Sequence, residues 1–158
     1  FKGQPIHPGL VREFLNWESD YRPPITVTLD VGAAYQTNEY FDPVLPEKDG
    51  GFSVTLGEGG ERFFYKHLGR LNNGIHILHT VDKSTGTGIF QNVMFVRFDI
   101  GRGFDRDGVK RMESLHMSVV RVYTLVGSNP PGVEFEGNRV SIRSSAEVVR
   151  LTFDEKGR

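Results

Sequence analysis

Five histidines and no cysteine bound the acid/base and metal chemistry open to this 158-residue chain. Without thiols there are no disulfides, thiolate nucleophiles, iron–sulfur clusters or cysteine zinc sites. His76 and His79 stand close together in GIHILHT. On a helix, a spacing of three would put both on one face and invite a shared metal ion. The flanking residues read as a strand, where an odd spacing sends the two rings to opposite faces. His-x-His, which would set two ligands on one strand face, does not occur. We therefore expect no metal and no cofactor.

His79 acquires a partner from the hairpin that encloses it. A turn rich in Ser, Thr and Gly lies at 82–88. Apolar residues match best when paired numbers sum to 171, which joins Ile75 to Val96, Ile77 to Met94 and Val81 to Phe90. The same register joins His79 to Asn92 within an apolar stripe. Buried polar groups without partners cost about 1–3 kcal/mol each. The two side chains therefore either satisfy each other or line the mouth of a pocket. An acid/base role for His76 or His79 would need Arg97 or Arg121 to orient an anionic substrate in the same cavity.

Other motifs lead less far. Asp105-x-Asp107-Gly108 has the centre of a calcium loop, but the flanking EF-hand positions fall on Gly103 and Ser114 instead of carboxylates. Gly57-Glu58-Gly59-Gly60 lacks both dinucleotide spacing and a Walker lysine, and reads as a hairpin turn. No G-x-S-x-G occurs. Tyr35, Tyr40 and Phe41 lie in the segment 32–51, with Tyr21 ahead of it. Such rings stack on sugars or apolar ligands, or plug the end of a β architecture. The ligand-binding candidates are thus His76, His79, Asn92, Arg97, Arg121, Tyr35 and Tyr40.

The elements that would position these residues follow from periodicity. Leu10, Phe14 and Trp17 recur at helical spacing, with Val11 and Leu15 widening the stripe. Pro8 suits a first helical position and Pro23-Pro24 forbids continuation, so one helix is expected over about 8–19. From residue 25 the period is two, the pattern of antiparallel strands. Strands are expected at 25–31, 52–56, 61–68, 74–81, 88–100, 117–126, 133–136, 139–143 and 146–153. The central ones are apolar on both faces. Gly137-Asn138 marks a two-residue hairpin. Segments 32–51 and 101–116 are left as long connections, which usually carry function. The expected fold is all-β: an antiparallel β-sandwich (jelly-roll-like) or a closed β-barrel of eight or nine strands, with one N-terminal helix. A helix ahead of such strands is also lipocalin-like in size, but no Gly-x-Trp opens the first strand, and the only tryptophan is Trp17.

Residues 1–158 read as a single domain, of ordinary length for one. The net charge of -1 excludes a nucleic-acid binder acting through bulk positive charge. No apolar run approaches a membrane span of roughly 18 residues. Residues 1–61 hold four basic and ten acidic groups, a balance of -6, whereas 62–158 hold fifteen and ten, a balance of +5. That asymmetry points to a homo-oligomer or an oppositely charged partner. The start at Phe1 reads as loss of an upstream segment, and the expectation leans towards export. Three functions fit. The first is a non-catalytic ligand-binding or accessory domain for a small-molecule or carbohydrate ligand. The second is a small barrel or jelly-roll enzyme (hydrolase, lyase or isomerase) with a pocket histidine. The third is a structural or assembly domain.

Overall fold

The computed structural model describes residues 3–18, 28–31, 43–83, 88–104, 107–125 and 129–156, without the side chains of 16–18 and 28–30. Helix α1 (Pro8–Glu18) begins where expected. Its first turn is capped by a residue the sequence reading passed over. The backbone N–H of Gly9 donates to His7 Nδ1 at 3.0 Å, and Leu10 N–H donates to the His7 carbonyl at 3.0 Å. His7 thereby takes the place usually held by Ser, Thr, Asp or Asn.

Ten strands follow among the described residues: β1 (Thr28–Asp30), β2 (Leu45–Pro46), β3 (Phe52–Leu56), β4 (Glu61–Arg70), β5 (His76–Lys83), β6 (Ile89–Phe104), β7 (Arg111–Leu125), β8 (Gly132–Glu136), β9 (Arg139–Arg143) and β10 (Val148–Thr152). All pairings are antiparallel. They form a seven-stranded sheet, ordered β1-β7-β6-β5-β4-β3-β2, and a three-stranded sheet, ordered β10-β9-β8. The all-β expectation holds, and its barrel alternative does not. β1 and β2 lie at opposite edges of the large sheet and do not pair, so the sheet stays open.

Each face of the large sheet has its own cover. On one face Leu10, Val11 and Phe14 of α1 meet Val54, Phe63, Tyr65, Leu78, Met94 and Met117. The Tyr65 hydroxyl donates to the Ile6 carbonyl at 2.8 Å and ties down the chain ahead of the helix. Arg12 clamps the same helix to the sheet, its Nε donating to Asp82 at 2.6 Å and its Nη2 to Glu61 at 3.1 Å. On the other face Ile75, Ile77, Val93, Phe95 and Leu125 meet Val140 and Ile142 of β9, together with Phe153. Burial on both faces is why β5 and β6 lack clean alternation in sequence.

Two glycines make room for neighbouring aromatic rings, one of them between the sheets. A Cβ on Gly69 would lie 2.2 Å from Phe135 Cζ, so Gly69 vacates the seat that Phe135 of the small sheet occupies. The β4–β5 register shifts at this point, between His67 and Gly69. A Cβ on Gly51 would lie 2.2 Å from the Phe64 ring.

Three expectations need correction. The segment 101–116 is not a loop, because β6 and β7 run on through it as one long hairpin. Gly101 reads as a breaker in sequence, but within β6 it makes room for the His116 ring, 2.6 Å from where its Cβ would be. A further two-residue strand, β2, lies in the other connection. Finally, β5 and β6 pair with numbers summing to 172, as in His76 with Val96 and His79 with Val93. The expected register is thus off by one, and Asn92 goes to the other face.

Candidate functional site

The register decides where the predicted site residues go. His79 faces the second core, beside Ile77 and Val93, and its Nε2 lies 2.9 Å from Gln91 Oε1. Gln91 in turn donates to the Asn129 carbonyl at 3.3 Å. The edge of the Phe64 ring closes the site at 6.3 Å between centroids. Burial lowers the His79 pKa, and the Gln91 hydrogen bond acts against it. His79 is therefore a buried histidine whose polar partner is Gln91 and not Asn92.

Asn92 pairs with Thr80 on the opposite, helix-bearing face. Thr80 is fully buried, and its hydroxyl has no partner among the described residues. His76 also lies on that face, against Phe98 and His67. His76 and His79 thus point to opposite sides of the sheet, as their odd spacing requires. Arg97 donates to the Lys156 carbonyl at 3.1 Å. It lies four residues along β6 from Val93, the partner of His79, or roughly 13 Å. Arg121 is exposed, opposite Phe95 at the bulge between β6 and β7. Tyr35 and Tyr40 lie outside the described residues. The structure does not bring the five placed candidates into one site.

A different surface emerges from the long hairpin. Neither core holds a residue beyond Phe98 on β6 or before Leu115 on β7. Among the described residues no other strand pairs with the hairpin beyond that point, and it extends as an arm. Phe104 lies six residues beyond Phe98, which is roughly 20 Å of strand. The arm is rigidified by its own side chains. Ser114 Oγ lies 2.8 Å from His116 Nε2, over Gly101. Asp99 is the cross-strand partner of His116 and shares the face of Ser114 and His116. Ser114 is only 3 % exposed, which closes it to a substrate and leaves a packing role.

The other face of the arm is apolar and open. Ile100 is 73 % exposed, Phe104 58 % and the turn residue Val109 82 %. Ile100 pairs with Leu115, Arg102 with Glu113 and Phe104 with Arg111, so alternation sets Ile100, Arg102 and Phe104 on one side. Lys110 and Arg111 are exposed beside them. Scattered apolar residues on a surface are ordinary, whereas these are grouped on one element. In sequence this stretch reads as a connection, because Gly101 and Gly103 mask the alternation. The pattern Phe98, Ile100, Phe104 was the signal, interrupted by Arg102.

An open depression of about 310 Å³ lies on the small sheet, lined by Glu134, Phe135, Arg139, Ser141 and Arg150 among others. No helix among the described residues is long and apolar enough to cross a membrane. Compared with protein-family models, curated proteins and solved structures, the chain matches none.

Proposed function

We propose that this domain is a binding and assembly module whose β6–β7 arm docks onto a second copy of the chain. The observation that carries the reading is the exposure of Ile100, Phe104 and Val109 on one hairpin that extends beyond both cores. Apolar side chains supply the driving force once water is excluded. Charge supplies the direction. The hairpin as a whole is neutral, but its apolar face sets Arg102 and Arg111 against Glu113 alone, while residues 1–61 carry a balance of -6. That face of the arm on one copy against the acidic part of the next is a head-to-tail contact, which closes into a ring or propagates.

Static light scattering tests this over a range of ionic strength. The Debye length falls from about 30 Å at 10 mM salt to about 8 Å at 150 mM. The mass is expected to exceed that of a monomer at low salt and high protein concentration, and to fall as salt rises. A monomer of 17.8 kDa under all conditions overturns the proposal.

A further inference from the structure

His67 on β4 and His76 on β5 meet where the register of the two strands shifts. Their backbone partners are Leu78 and Arg70, so neither would be read as the other's neighbour. Even so, His67 Nε2 lies 3.1 Å from His76 Nδ1, with ring centroids 5.2 Å apart. Phe98 stands edge-on to His76 at 5.0 Å and fixes the plane of that ring. His67 is exposed and His76 half-buried, so the pair opens to solvent on one side.

Two neutral imidazoles satisfy such a contact when one donates its N–H to the other. The same two nitrogens also form a bite for a cation. With metal–nitrogen bonds of about 2.0–2.1 Å, their 3.1 Å separation subtends roughly 95–102° at an ion. That lies between the right angle of square-planar or octahedral sites and the wider tetrahedral angle.

We propose that His67 Nε2 and His76 Nδ1 form a bidentate site for a late divalent transition-metal ion of the copper, nickel or zinc class. Imidazole nitrogen suits these ions, whereas calcium and magnesium seek oxygen. No cluster of three or more His, Cys, Asp or Glu side chains poised for a metal occurs among the described residues. The ion would keep open positions for water or an added ligand, as an exchangeable ion does. Loading moves the shared proton to the other nitrogen of the ring that carried it, so the proton count of a neutral pair is unchanged. Arg70, the cross-strand partner of His76, places a like charge beside the ion and limits its affinity.

The test is calorimetric titration of the untagged chain with Cu²⁺ and with Zn²⁺ at neutral pH, alongside imidazole NMR. One equivalent is expected to bind, copper more tightly than zinc, with perturbation centred on the His67 and His76 resonances. His67→Gln and His76→Gln are each expected to weaken binding more than tenfold, since loss of a group that merely supports a ligand already costs about 10–100-fold. Arg70→Gln is expected to tighten it. His67 is exposed, so His67→Gln keeps the fold and remains a fair test if His76→Gln does not. No binding below millimolar metal, or binding that survives His67→Gln, overturns the proposal.

Discussion

Gly69 and Phe135 meet where the small sheet sits on the large one, and the space between them leaves no room for a methyl group. Overpacking of this kind typically costs about 1–3 kcal/mol. Gly69→Ala is therefore expected to lower the urea midpoint by a corresponding amount. In a Phe135→Ala background, which vacates the seat, the same change should cost far less. Additive costs in the double-mutant cycle would contradict the contact. The histidines give a second prediction at this scale. Burial holds His76 down to about 4 and lowers His79 as well. An unfolded chain with histidines near 6.5 takes up protons that the folded one refuses. Stability is then intact above about pH 6.5 and is lost as the pH falls towards 4. The urea midpoint should be lower at about pH 5.5 than at about pH 7.5, before most carboxylates titrate. Equal midpoints would contradict both burials. Sequence showed that His76 and His79 face opposite ways, but not their partners. One step of register separates Asn92 from Gln91 as the residue on the His79 face, and apolar matching could not resolve it because both faces of β5 and β6 are buried.

Among the elements, α1 was legible from its apolar stripe and its prolines, whereas its attachment was not. Arg12 reaches 70 residues along the chain to Asp82, a separation no local pattern reveals. Burial works against the Arg12 charge, but Asp82 and Glu61 outweigh it and raise its pKa. Both carboxylates and the guanidinium are partly shielded from water. Arg12→Met is expected to cost about 1–2 kcal/mol, between an exposed ion pair and a fully buried one. Urea denaturation followed by circular dichroism checks this, and an unchanged midpoint would show that the apolar stripe alone seats the helix. The hairpins at Gly57–Gly60 and Gly137-Asn138 were correctly marked by their turn residues. The arm was missed for the complementary reason. Gly101 and Gly103 look like punctuation, yet at Gly101 the missing side chain is filled by a ring from the facing strand.

At the scale of the whole molecule, composition and periodicity led to an all-β domain with one helix. They could not say whether the sheet closes, since closure depends on whether its edge strands meet. The large sheet stays open, one face carries the helix and the other the small sheet, and one hairpin runs on past both cores. The charge asymmetry was visible in sequence, but the apolar arm that gives it a surface was not. Sedimentation velocity of the wild type beside the Ile100→Ser/Phe104→Ser variant at low salt tests the assembly reading most directly. Both side chains are exposed, so the variant should unfold within about 0.5 kcal/mol per site of the wild type. The account predicts an associated wild type and a monomeric variant of equal stability. A variant that sediments as the wild type does would contradict it.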